Sequence, residues 1–175
     1  MSESVIAPSL GLYYESAPQI DTESTGQRTW ITRSANVVVA LSKVTAGTVL
    51  IREDNPDEYM LLLPAGVRAI TRFKDQVVEA SGDSLTILPP GATEIEMLDA
   101  GTITRVFSVR AKDFAELASN ADTYKHGAGS VDPLEDWPMP LGGYKIRTYN
   151  LPDYCDPKIF GRLFRSRNLM INVFE

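Results

Sequence analysis

Short runs of β-branched, aliphatic and aromatic residues alternate with turn sequences over most of the chain. Nine of these runs lie between residues 29 and 110, at 29–32, 36–41, 47–52, 58–64, 67–73, 76–80, 84–88, 93–98 and 102–110. Glycine, proline and aspartate concentrate in the connections, which are of hairpin length. Many short strands at this spacing indicate a β-sandwich or barrel, and hairpin connections make it antiparallel.

The segments on either side of this block differ from it in composition and in hydrophobic pattern. Residues 1–28 are polar and turn-rich, which is typical of an arm lying over a domain. A short amphipathic helix is predicted at about residues 111–120, followed by a connection rich in proline and glycine that extends to residue 142. β-like runs then return at 144–149, 159–164 and 168–174.

The sequence therefore predicts an all-β protein in four parts. These are an arm (1–28), a β-barrel (29–111), a short helix with a linker (112–142) and extra C-terminal strands (143–175). The last apolar run ends the chain without a following turn, so it needs a partner on its edge. That partner is the barrel itself, a second subunit, which would favour a homodimer, or the remainder of a second domain.

The charge and composition of the chain indicate which macromolecular partners and which cellular compartment to expect. The chain has 23 acidic and 17 basic residues and a formal net charge of −6. This balance argues against a nucleic acid or an anionic membrane surface as the main partner. No apolar run approaches the roughly 20 residues of a membrane-spanning helix, and no secretory signal is visible. A single cysteine cannot form an internal disulfide, so we expect a cytoplasmic protein.

The chain has one histidine, His126, and one cysteine, Cys155. Zinc sites built from cysteine and histidine, and multi-histidine metal sites, therefore cannot form within one chain. We interpret His126 as an exposed loop histidine rather than a general base carried by a lid. Asp153 and Asp156 place negative charge beside Cys155, which disfavours a reactive thiolate and favours a structural role.

Two segments in the β-rich block resemble the paired motifs of the cupin family. Residues 82–94, GDSLTILPPGATE, combine a Gly-Asp turn, a short strand and a Pro-Pro-Gly turn, like the second cupin motif. Upstream, Gly47 and the strands that follow it, as far as Leu63, resemble the first motif. The resemblance implies a jelly-roll barrel, and the final strands look like the opening of a second unit, as in the N-terminal half of a two-domain cupin.

The family's metal-binding histidines are missing at the matching positions. Its His-x-His pair falls at Arg52 and Asp54 or at Glu53 and Asn55, depending on the alignment. The family's glutamate is matched by Glu58, and its last histidine by Glu94. The sequence therefore predicts no cofactor and a barrel without a three-imidazole metal site.

Carboxylates offer an alternative metal site. Asp54, Glu58 and Glu94 are ligands of the type that suits magnesium, calcium or manganese. Against this, strand alternation places Ile95 and Met97 on one face and Glu94 on the other. If the apolar face packs inward, Glu94 points to solvent.

Other predicted strand and linker residues are candidates for a ligand pocket. An inward-facing arginine would suggest an anionic ligand, whereas we expect Arg72 and Arg105 to lie on the solvated face. Trp137 is expected to anchor the linker or to cap a pocket. The full set of pocket candidates is Glu58, Met60, Arg72, Glu94, Arg105, Phe107 and Trp137.

The motifs and their departures together predict a metal-free barrel that binds a small molecule or serves as a structural or dimerisation unit. The alternative is an enzyme of a type common among cupins, a dioxygenase, isomerase or epimerase. It would use carboxylate metal ligands or metal-free acid–base groups such as Glu58, Tyr59 and Glu94.

Overall fold

The computed structural model of the chain describes residues 13, 15–124, 127, 131–154 and 161–173. One α-helix, α1 (Lys112–Leu117), is present among them, shorter than the predicted 111–120. The strands are β1 (Ile20–Thr22), β2 (Gln27–Arg33), β3 (Val37–Val44), β4 (Val49–Asn55), β5 (Tyr59–Leu63), β6 (Ala69–Phe73), β7 (Gln76–Ala80), β8 (Ser84–Leu88), β9 (Gly91–Met97), β10 (Gly101–Ser108), β11 (Arg147–Asn150), β12 (Arg162–Arg165) and β13 (Met170–Val173).

The all-β, antiparallel prediction is confirmed. Each of the nine runs predicted between residues 29 and 110 overlaps one strand, from β2 to β10. Together with β1 and β11, these strands form a seven-stranded sheet in the order β1-β2-β3-β10-β5-β8-β11 and a four-stranded sheet in the order β4-β9-β6-β7. Strands distant in sequence, such as β3 and β10, are neighbours, which is typical of a jelly roll rather than a simple meander.

The main hydrophobic core lies inside the barrel. Alternate residues of each strand enter it, so that on β9 Ile95 and Met97 are buried while Glu94 and Glu96 face outward. Its buried members include Ile31, Val38, Leu50, Tyr59, Leu61, Leu63, Leu88, Ile95, Met97, Ile103, Phe107 and Phe114. The expectation that Glu94 points away from the apolar face therefore agrees with the structure.

A second core covers the outer face of the seven-stranded sheet. Met60, Leu85, Ile87 and Val106 from the sheet pack there with Leu151, Phe164 and Leu169 from the C-terminal part of the chain. β11 extends the sheet beside β8, and the hairpin of β12 and β13 lies over it. Strands β5, β8 and β10 are consequently buried on both faces.

Glu58 ties this C-terminal segment to the barrel. One of its carboxylate oxygens accepts a hydrogen bond from Arg147 Nη2 at 2.7 Å, and the other accepts one from the backbone N–H of Arg167 at 2.8 Å. The Glu58 side chain is completely buried. Glu58 and Met60, two of the candidates for a ligand pocket, both face the outer core, whereas Tyr59 between them faces inward.

The predicted N-terminal arm differs from the structure in its described residues. β1 pairs with β2 as a hairpin, so residues 20–22 belong to the sheet and not to a covering arm. Trp30 holds the preceding segment by donating its indole N–H to the carbonyl of Ser16 at 2.9 Å. His126 and Cys155 lie outside the described residues, and the expectations for them stay predictions. None of the helices described is long and apolar enough to cross a membrane.

Replacing Glu58 with Gln is expected to lower the free energy of unfolding by about 3 kcal/mol, because the substitution leaves Arg147 partly buried beside a neutral group. Urea denaturation measures the change. The matched control is Glu94→Gln, which removes the same charge from a carboxylate 39% exposed on the outer face. This control is expected to cost less than about 1 kcal/mol. Equal losses in the two variants would contradict the anchoring role of Glu58.

Candidate functional site

A guanidinium group is buried inside the barrel at Arg105. Strand alternation on β10 sends Arg105 and Phe107 inward, and Arg105 is 2% exposed. Its Nη2 donates one long hydrogen bond, of 3.3 Å, to the hydroxyl of Ser42. Its Nε is buried and has no hydrogen-bond partner. The expectation that Arg105 faces solvent is therefore wrong, because β10 runs through the centre of the sheet and both of its faces are covered.

No acidic side chain among the described residues forms an ion pair with Arg105. Burial lowers the pKa of Arg105 to about 10; the Tyr59 hydroxyl opposes this shift, and the positive charge of Arg52 adds to it. Arg105 is still charged at neutral pH, and no counter-ion for that charge lies among the residues that the structure describes.

A second guanidinium, that of Arg52, lies at the same end of the barrel but is neutralised. Arg52 Nη1 and Nη2 donate to the two carboxylate oxygens of Asp113 on α1, at 2.5 and 3.0 Å. Its Nε also donates to Asn55 Oδ1 at 3.2 Å. The hydrogen bonds from Arg52 hold the pKa of Asp113 below its usual value. Of the two arginines, only Arg105 lacks a negative partner in the described part of the chain.

A β-bulge explains why Arg52 and Asn55 both face inward. The register of β4 against β9 shifts between these two residues, which leaves Glu53 and Asp54 exposed. The two alignments considered from sequence, Arg52 with Asp54 and Glu53 with Asn55, each assume strict alternation. The bulge adds one residue, so the inward pair takes one member from each alignment.

Two aromatic rings, Phe107 and Phe114, pack against these guanidinium groups. Tyr59 stacks on Phe107 with ring centroids 4.7 Å apart, and Phe107 meets Phe114 of α1 edge to face at 4.9 Å. The guanidinium carbon of Arg52 lies 4.6 Å from the Phe114 centroid, and that of Arg105 lies 5.4 Å from it. We call Arg52, Tyr59, Arg105, Phe107 and Phe114 the arginine–aromatic cluster. The Phe107 and Phe114 rings stabilise both cations through their π faces.

Hydroxyl groups provide the remaining polar contacts near the cluster. The Tyr59 and Thr93 hydroxyls are hydrogen-bonded at 2.8 Å, and burial raises the pKa of Tyr59. Thr93 occupies the inward position on β9 that the motif alignment gave to the outward-facing Glu94. The alternation of Ile95 and Met97 already implied an inward Thr93, although sequence analysis did not single it out.

Two surface clefts adjoin the cluster at Arg52. A cleft of about 680 Å³ is lined by Arg52, Asp54, Arg110 and Asp113, among others. A smaller one of about 340 Å³ is lined by Arg52 and Thr93 together with Arg72 and Glu94. Arg52 lines both clefts, and its guanidinium lies over the same two rings, Phe107 and Phe114, as that of the buried Arg105.

The remaining sequence candidates are placed outside the barrel interior. Arg72 pairs with Glu94 and Glu96 at 2.7 Å each on the outer face of the four-stranded sheet, where Arg72 and Glu94 also line the smaller cleft. Trp137 donates its backbone N–H to Arg167, and its ring stacks with Arg165 at 4.2 Å. Phe107 is the candidate that joins Arg105 in the cluster.

The carboxylates proposed as metal ligands are not brought together. Asp54 lines the larger cleft, Glu94 is paired with Arg72, and Glu58 is buried in the outer core. No group of three or more histidine, cysteine or acidic residues that could hold a metal occurs among the described residues. The arrangement offers instead a desolvated cation, aromatic surface and neutral hydroxyl groups.

Comparison with known proteins finds likeness in structure but not in sequence. No protein-family model matches the chain, and no curated protein matches its sequence. The solved structure of KdgF from Halomonas sp. superposes with a TM-score of 0.51 at 15% identity, covering 61% of this chain and 98% of that one. An RmlC-like cupin from Shewanella frigidimarina superposes at 0.46 with 11% identity, covering 54% of this chain and 86% of that one. EutQ from Clostridium difficile gives 0.45 at 14%, covering 61% and 91%.

At these identities the likeness concerns the fold alone. The two antiparallel sheets, their strand order and the likeness to KdgF agree with the resemblance seen in the two motifs. The chain has the cupin fold.

Proposed function

We propose that the barrel binds a small molecule carrying a carboxylate group, with Arg105 as the charge that receives it. The observation that carries this proposal is the complete burial of Arg105 without an acidic partner among the described residues. The barrel architecture is compatible with a binding role, since the mouths of β-barrels are a common place for ligand sites.

The energetics of burial favour an anionic ligand. A charge removed from water without a counter-ion costs several kcal/mol, even after local relaxation. A carboxylate at Arg105 would offset that cost, and its two oxygens match the donor geometry of a guanidinium. The free Nε of Arg105 is a donor already available for such a bond.

The neighbouring groups suit the same ligand. The hydroxyl groups of Ser42, Tyr59 and Thr93 are donors that bring no opposing negative charge. The rings of the cluster exclude water, which strengthens an ion pair formed beside them. Entry would be from the clefts that Arg52 lines.

The enzymatic alternative finds no support in the placement of its acids. Glu58 is buried in the outer core of the seven-stranded sheet, and Glu94 lies on the outer face of the four-stranded sheet. An acid–base pair acting on one substrate needs both groups within reach of one cavity. Binding is therefore the function that the geometry favours.

Titration calorimetry with acetate, propionate and malonate tests the proposal. We expect saturable binding of at least one of these acids to the wild-type protein, weakened roughly tenfold or more in Arg105→Met. The matched control is Arg68→Met, which removes an exposed arginine that lines neither cleft and should leave the affinity unchanged. Equal affinities for wild type and Arg105→Met would contradict the proposal.

The proposal also predicts how Arg105→Met changes the free energy of unfolding when no ligand is present. In a buffer without carboxylates, Arg105→Met should stabilise the protein by about 1 kcal/mol, because a thioether of similar size replaces an unpaired buried charge. Urea denaturation at neutral pH measures the change. A loss of more than about 2 kcal/mol would instead mark Arg105 as a structural residue whose hydrogen bond and ring contacts hold the barrel.

A further inference from the structure

The mouth of the arginine–aromatic cluster is occupied by two consecutive residues of α1. Asp113 places a carboxylate on Arg52, and Phe114 places a phenyl ring against both guanidinium groups. Phe114 is 6% exposed and meets Phe107 edge to face. A short helix thus contributes a negative charge and an aromatic ring to the region where the proposed ligand would bind.

Residues of α1 neutralise only one of the two guanidinium groups in the cluster. The Asp113 carboxylate neutralises Arg52, whereas Arg105 has no negative partner, and its Nε no acceptor, in the described part of the chain. An external molecule with its own ring and carboxylate could take the place of the Phe114 side chain and bring the missing charge to Arg105. Such a molecule would keep the stacking on the two cations and add an ion pair that α1 does not supply.

We infer that Asp113 and Phe114 act as an internal pseudo-ligand, and that the external ligand is an aromatic carboxylate that displaces Phe114. This inference rests on the proposed carboxylate binding at Arg105 and specifies the ligand class and the way the site opens. Phenylacetate is the probe that combines both groups in the smallest form.

The local structure of α1 suits displacement. The helix has six residues, and Phe114 and Ala115 are its buried members. Ala111 precedes it and provides no side-chain cap, and the chain leaves the helix at Ala118 in an extended conformation. Short helices without caps open at lower free energy than the strands of a core. On either side of the helix, Ala111 and Ala118 are buried in the core, and the Ser119 N–H donates to the Ile31 carbonyl at 2.9 Å, so displacement of Phe114 would open the six helical residues between these anchored ends.

Hydrogen exchange on the wild-type protein tests displacement directly. Saturating phenylacetate should increase amide exchange in Lys112–Leu117, the opposite of the protection that ligands normally give, because the helix leaves its place. Acetate, which lacks the ring, should leave the exchange of these amides unchanged. Unchanged or slower exchange of α1 with bound phenylacetate would overturn the inference.

Removal of the Phe114 ring provides an independent test. Phe114→Ala should bind phenylacetate roughly tenfold more tightly than wild type, since no internal ring competes for the space. Phe114→Leu, which preserves apolar volume, keeps the test valid if the alanine variant does not fold. Cyclohexylacetate, similar in size and charge but without a π face, should gain less in both variants. An equal gain for the two acids would contradict recognition of an aromatic ring.

The control variant is Phe164→Ala, which removes a buried phenyl ring from the outer core, away from either cation of the cluster. It should show no gain in phenylacetate affinity. If acetate binds wild type in an Arg105-dependent way but phenylacetate gains nothing in the Phe114 variants, the inference fails and the proposed function stands. If no carboxylate binding depends on Arg105, both fail.

Discussion

Every central strand of the seven-stranded sheet divides its side chains between two separate hydrophobic environments, and the rest of the molecule depends on this division. On β10, Arg105 and Phe107 enter the barrel while Val106 enters the outer core. At β5 the same alternation sends Tyr59 inward and Met60 outward, and Glu58, which directly precedes the strand, also lies on the outer side. The outer face is too apolar to remain in water, so the C-terminal segment must cover it, and Glu58 fixes that cover in place.

Because β10 is covered on both faces, the charge of Arg105 is held away from water. An arginine on a half-exposed strand extends its head group into solvent, but Arg105 has no solvated face available. The neighbours of Arg105 compensate only part of the cost of burying its charge. Ser42 accepts one long hydrogen bond from the guanidinium, and the Phe107 and Phe114 rings contribute π contacts. Groups that reduce stability in this way are typical of binding sites, where the partner restores the balance.

Sequence patterns predicted the fold better than the site. Period-two alternation and turn residues located nine strands, because both signals are local. The direction in which Arg105 and Glu58 point depends on which sheet faces are covered, and the cover comes from residues distant in the chain. The β-bulge at Glu53 and Asp54 changed the phase of β4 without a glycine to signal it. The role of Phe114 could not be predicted, because the sequence of a six-residue helix does not indicate which side chain of the barrel its phenyl ring will contact.

The most direct measurement of the central claim observes the Arg105 guanidinium itself. Nitrogen-15 NMR resolves arginine Nε–H groups, and the Arg105 signal is assigned by its loss in Arg105→Lys. Burial predicts that this proton exchanges slowly with water at neutral pH, unlike the Nε–H of exposed arginines. On titration with acetate, the account predicts a saturable shift of the Arg105 signal as its free Nε gains an acceptor. A constant Arg105 signal, with acetate-induced shifts confined to the exposed arginines, would contradict the account.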